Sequence, residues 1–196
     1  MRGVAIVLTV FICACSPRAA LAQSTGGPFS TIEVVAGGAV TAAAAPLASY
    51  WKTGPGLGVR IDTPFYLGNV FGLVQTAQVT PLAGVDVPAY RSVHAAAGWG
   101  APVALPLGVR VMPALRIGTY HMRFDDPQVS AAVANETELT AGVDVRVRVP
   151  LGGGWAGSGS VAVLRVFTNQ PIDMRIVEVG ISRRLATPNW LRRALE

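Results

Sequence analysis

The sequence predicts an all-β fold, an eight-stranded antiparallel up-and-down transmembrane β-barrel. Apolar residues recur along it with a period of two rather than 3.6. Charged residues make up only 14% of the 196-residue chain, against about 25% in soluble domains. Past the N-terminal leader, no stretch stays apolar for the roughly 20 residues that a membrane helix needs. A chain this apolar without a spanning helix must hide its surface in another way. A sheet closed on itself does so, because it leaves no backbone group unpaired in lipid.

Residues 1–22 read as a signal peptide cleaved before Gln23. Arg2 supplies the positive start, Ala5 to Cys15 the apolar run, and Ala20-Leu21-Ala22 the small residues at the cleavage site. A lipoprotein site at Cys15 is the weaker variant. Cys13 and Cys15 both leave with the leader, so no disulfide or thiol chemistry is expected afterwards. The formal net charge falls from +5 to +3 as Arg2 and Arg18 depart. Lys52 is the only lysine and no Lys/Arg run occurs, so no nucleic-acid partner is expected.

The barrel is assigned to residues 23–186, with strands near Phe29–Ala43, Pro55–Thr63, Asn69–Thr80, Ala89–Ala101, Gly108–Arg123, Glu136–Val149, Gly154–Thr168 and Met174–Leu185. In the second, Leu57, Val59 and Ile61 interleave with Gly58, Arg60 and Asp62. In the sixth, the valines from Val143 to Val149 interleave with Asp144, Arg146 and Arg148. In the last, Val177, Val179 and Ile181 interleave with Glu178, Gly180 and Ser182. Leu67-Gly68, Leu107-Gly108 and Leu151-Gly152, each closely preceded by a proline (Pro64, Pro106, Pro150), mark tight turns. Longer links (Ala44–Gly54, Pro81–Pro88, Phe124–Asn135, Asn169–Asp173) alternate with them. The pattern is a meander with short turns at one end and long loops at the other.

Aromatic residues mark both ends. Phe29, Phe65, Tyr66, Phe71, Trp99 and Trp155 fall near the short turns; Tyr50, Trp51, Tyr90, Tyr120, Phe124 and Phe167 fall near the long loops. Two such belts around an aliphatic band suggest a membrane thickness. A soluble barrel would carry many charges on its outer face, whereas these strands offer one or two each. The aliphatic face is therefore expected to meet lipid and the charges to point into the lumen. That inward set is Glu33, Arg60, Asp62, Arg110, Arg116, Glu138, Asp144, Arg146, Arg148, Glu178 and Arg184. Eight strands enclose a space that side chains can fill, and buried charges need partners. A ladder of Arg–carboxylate pairs plugging the lumen is the expectation, with an open pore as the alternative.

The chain thus resembles the small outer-membrane β-barrel family, which includes the OmpA membrane domain, OmpX and the opacity-type proteins. The resemblance covers essentially the whole mature chain and rests on architecture more than on motifs. Its most specific part is the last strand, where Glu178, Gly180 and Leu185 match the polar residue, glycine and final apolar residue of the assembly signal; Arg183 departs from it and no terminal aromatic is present. The resemblance implies two partners, outer-membrane lipid and the barrel-assembly machinery acting through that strand. A monomer in the bacterial outer membrane is expected, with residues 187–196 as a short periplasmic tail.

Signs of chemistry are few. His94 and His121 have no metal-ligating neighbour at a useful spacing, and Asp125-Asp126 read as solvated loop carboxylates. Gly152–Ser160 is Gly-rich but lacks the GKS or GKT and helix of a phosphate loop. Ser92 and His94 share a strand face, in the reverse order of a lipid A deacylase of this architecture, with Glu138 the candidate acid. No cofactor, metal or catalytic residue is expected, and a lipid-modifying enzyme is the minor alternative. The more serious alternative to an outer-membrane protein with a structural or loop-mediated role is a soluble, lipocalin-like periplasmic barrel holding an apolar ligand against an inward aliphatic face.

Overall fold

A computed structural model describes residues 27–44, 47–124 and 135–195. The predicted signal peptide and Asp125-Asp126 lie outside the described residues. Eight long strands form the barrel: β1 (Thr31–Ala43), β2 (Trp51–Phe65), β3 (Gly68–Pro81), β4 (Tyr90–Gly100), β6 (Arg110–Phe124), β7 (Glu136–Gly152), β8 (Trp155–Val166) and β9 (Ile172–Ala186). A two-residue strand, β5 (Val103–Ala104), pairs with the start of β6 below the wall. Each long strand pairs antiparallel with its neighbours in sequence, β1 pairs with β9, and β4 pairs directly with β6. The sheet has no open long edge, so the strands of the wall are paired on both sides.

The register measures the stagger of the closure. From Gly37 the partners run through Gly58, Gln75, His94 and Tyr120 to Glu138. In the other direction they run through Gly180 and Ser158 to Arg148, ten residues farther along the same strand. This stagger tilts the strands and sets the bore, which at eight strands is just wide enough for side chains to fill.

β2, β3, β7 and β9 are longer than the alternation alone indicated, and β1, β4, β6 and β8 are shorter. β2 begins at Trp51 and carries Gly54 and Pro55 across a register shift between Thr53 and Gly56. The bulge displaces these turn-forming residues without ending the strand. Phe29 sits in a turn at φ 56° instead of opening β1, and Leu107 and Gly108 share the left-handed region at φ 61° and 74°. The Pro106–Gly108 turn joins β5, not β4, to β6. The Gly152–Gly154 turn holds three consecutive glycines at positive φ, a geometry glycine adopts without steric cost. After β9, Thr187 N–H donates to Ser30 O, and Asn189–Leu195 forms helix α1 at the short-turn end.

Burial follows strand parity. Val40, Leu57, Leu115 and Val179 point outward with 60–70% of their surface uncovered, while Asp62 and Asp144 point inward at 1% and 2%. A soluble barrel with its aliphatic face inside is excluded by this arrangement. The aromatic belts are corrected in part: Phe71, Tyr90 and Tyr120 have inward parity and are buried in the lumen. Tyr66, Trp99 and Trp155 remain exposed at the short-turn end, and Tyr50 and Phe167 at the loop end.

At the β1–β9 seam the wall tolerates no side chain at two facing positions. A Cβ on Gly37 would lie 2.3 Å from Val179 O, and one on Gly180 would lie 2.4 Å from Ala36 O. A Cβ on Gly72 would meet nothing within 4 Å. Gly37→Val is therefore expected to cost about 2 kcal/mol or more in urea unfolding of the lipid-reconstituted barrel, while Gly72→Ala leaves the unfolding midpoint in place.

Candidate functional site

Charged side chains converge in the lumen, and register explains how. Glu33 on β1 is the direct partner of Asp62 on β2 and of Arg184 on β9. Two carboxylates facing each other on adjacent strands repel, so a cation must reach between them. Arg146, projecting across the bore from β7, does this: its Nη2 donates to Glu33 Oε1 at 2.9 Å and its Nη1 to Asp62 Oδ2. Arg60 links the next pair, with Nε 3.2 Å from Asp62 Oδ1 and Nη1 2.7 Å from Asp144 Oδ2. Its guanidinium carbon also stands 3.6 Å from the centre of the Phe71 ring, a cation–π contact. Toward the short turns, Arg148 Nε and Arg184 Nη2 close on Glu33 at 3.0 and 3.3 Å. The result is a continuous chain, Asp144–Arg60–Asp62–Arg146–Glu33, ending on two further arginines.

The remaining predicted lumen charges sit differently. Arg116 is buried, but its nearest acid, Glu178, is 3.9 Å away and no hydrogen bond joins them. Arg110 pairs in register with Arg148 rather than with an acid. Glu138 lies opposite Tyr120 and has no ion pair among the described residues. A small cavity of about 20 Å³, the size of one water molecule, borders the network beside Arg60, Ser158, Ser160 and Glu178.

Above the ionic tier lies a neutral polar one. His94 Nδ1 lies 3.4 Å from Gln75 Oε1, and its Nε2 3.2 Å from the Thr140 hydroxyl, both within hydrogen-bond distance. The Ser92 hydroxyl donates to Ala77 O at 3.2 Å. Ser92 and His94 are both buried inside the barrel, so the placement on the lipid-facing surface that a lipid-modifying pair requires is not met. Inward parity on β4 is the cause.

Toward the long loops the interior turns apolar. Val79, Tyr90, Tyr120, Met122, Leu164, Val166, Met174 and Ile176 pack together, with Leu47 closing over them. Sequence reasoning missed this tier because polarity inverts there: on β8 and β9 the charged Arg165, Asp173 and Arg175 are exposed on the outward face while Leu164, Val166, Met174 and Ile176 turn inward. Parity counted from Ser158 and Ser160 would have located Leu164 and Val166. The residue that departs from the last-strand assembly signal also has a place: Arg183 lies directly opposite Trp155, its guanidinium carbon 5.1 Å from the ring centre, at the short-turn rim.

No family model matches the chain, nor does any curated protein by sequence. Solved structures do match. Neisserial surface protein A is 14% identical, with a TM-score of 0.55 over 82% of this chain and 99% of its own. OprG from Pseudomonas aeruginosa is 8% identical, with a TM-score of 0.52 over 82% and 98%. Ail, the attachment invasion locus protein of Yersinia pestis, solved with the heparin analogue sucrose octasulfate, is 9% identical, with a TM-score of 0.52 over 82% and 100%. At these identities the likeness establishes the fold, that of the small eight-stranded outer-membrane barrels.

Removing one member of a buried ion network strands its partners. Glu33→Gln leaves Arg146, Arg148 and Arg184 facing one another and is expected to lower the unfolding free energy by about 3 kcal/mol. Asp173→Asn breaks only the exposed Arg165–Asp173 pair and is expected to leave the urea midpoint unchanged. Comparable losses in the two variants would overturn the central role given to Glu33.

Proposed function

We propose that the chain is a monomeric protein of the bacterial outer membrane, exported by residues 1–22, whose lumen is closed to ions and whose role is structural or carried by its loops. Support comes chiefly from one observation: a closed eight-stranded sheet whose uncovered face is aliphatic and whose covered face holds the ion-paired side chains. Only a low-dielectric surrounding makes that arrangement the favourable one. The short turns then face the periplasm and the long loops the exterior, the usual orientation of such barrels. The lumen charges act as internal filling. They hold one another across the bore, and the apolar tier at the loop end seals the path above them. No enzymatic role is proposed, since Ser92 and His94 are engaged with neighbours inside the wall. Outer-membrane lipid is the surrounding partner, and Glu178–Leu185 is the segment offered to the assembly machinery.

Two measurements test this reading. Cell fractionation with heat-modifiable gel mobility should place the folded protein in the outer membrane, and a fully soluble protein would overturn it. Reconstitution into planar bilayers should give no steady conductance, whereas large, long-lived steps would overturn the closed lumen.

A further inference from the structure

The outward face carries one feature that neither the lumen nor the fold requires. On β4 and β6, Arg91 and Arg123 are direct register partners, both exposed and both pointing away from the lumen. Like charges directly opposite on a sheet repel, and among the described residues no carboxylate forms an ion pair with either. His121 joins them diagonally, as the register partner of Val93, with its Nδ1 2.8 Å from the Thr137 hydroxyl. Arg165, on the far side, has the acid Asp173 to itself.

Directly below, on the same strands, the lipid-facing wall is hollowed out. Gly72, Ala95 and Ala97 stand where neighbouring positions carry larger side chains, and with Val74, Ile117 and Thr119 they line a shallow groove of about 540 Å³. A second outward hollow of about 560 Å³ lies beside Ala42, Ala141, Val143 and Val163, but its rim carries the acid Asp173, paired with Arg165. From Ala95 to Arg91 and from Thr119 to Arg123 the strands climb four residues each, roughly 13 Å. An apolar furrow thus ends under a pair of guanidiniums that, among the described residues, has no carboxylate partner, at the loop end of the barrel.

We infer that the β3–β4–β6 face binds one phosphate-bearing lipid of the outer leaflet, with an acyl chain in the groove and a phosphate held between Arg91 and Arg123. Arginine suits this task because its planar fork meets phosphate oxygens in pairs. The anion removes the repulsion between the two register partners, and the groove gives the chain a fixed path. The inference rests on the membrane orientation proposed above, which sets the long loops outside.

The test uses the full-length mature protein in nanodiscs of phosphatidylcholine containing a minor share of diphosphoryl lipid A, with lipid A co-purified per barrel after mild detergent extraction measured by mass spectrometry. The wild type should retain lipid A in excess of its share. Arg91→Gln with Arg123→Gln should cut retention roughly tenfold, since each surface cation contributes a several-fold factor. Ala97→Leu, which fills the groove with both arginines intact, should also cut it. Arg91→Lys with Arg123→Lys should retain part of the excess. Equal retention in wild type and the double Gln variant would overturn the site. So would an equal loss in Arg175→Gln, which would mean diffuse charge attraction. Heat-modifiable mobility of each sample separates the two levels. Failure of the wild type to fold into the discs would overturn the membrane reading and the site with it, while a folded barrel without lipid A excess would overturn the site alone.

Discussion

Everything in this molecule follows from the requirement that a sheet surrounded by apolar material leave no backbone group unpaired. β4 must meet β6 directly, and the stagger of ten residues gathered around the sheet sets how steeply the strands tilt. Closure at eight strands leaves a bore no wider than the side chains that enter it. Half the residues of each strand are thereby forced into a narrow interior, whatever their chemistry. Gly37 and Gly180 show how tight the geometry is, since a single added carbon at either would meet the neighbouring backbone.

The charged side chains are answers to that confinement. Glu33 and Asp62 face each other in register, and their repulsion is relieved only because Arg146 arrives from the opposite wall. Each acid in the chain from Asp144 to Glu33 is met by an arginine from another strand. A network of this kind ties distant strands together, with Arg60 and Asp144 standing 84 residues apart in sequence. It adds little net stability over an apolar core of equal volume, but it is costly to break at any one point. On the proposed reading this is why charges of apparent catalytic character serve as filling. The outer face obeys the opposite rule, with its charges confined to the rim where water and lipid headgroups are within reach.

Much of this was legible in the sequence. Strand number, the inward parity of Arg60, Asp62, Asp144, Arg146 and Glu178, and the sites of the tight turns all follow from a period of two and from Pro–Gly punctuation. The same parity was available for Phe71, Tyr90 and Tyr120, but their residue type suggested an aromatic belt, and type prevailed over position. The apolar upper tier was hidden because polarity inverts at the loop end of β8 and β9, where Arg165, Asp173 and Arg175 face outward and the aliphatic residues inward. Pairing between partners was out of reach, since which arginine meets which acid depends on stagger, and no single strand encodes stagger.

The sequence by itself therefore determined the class of fold and which side of each strand faces inward, because alternation is a property of one strand at a time. The tertiary structure alone decided what the residues of each face meet. Arg146 bridges two acids, Arg110 faces another arginine, His94 settles between Gln75 and Thr140, and Arg91 stands opposite Arg123. These outcomes come from closing the sheet at one stagger, a condition on all eight strands together.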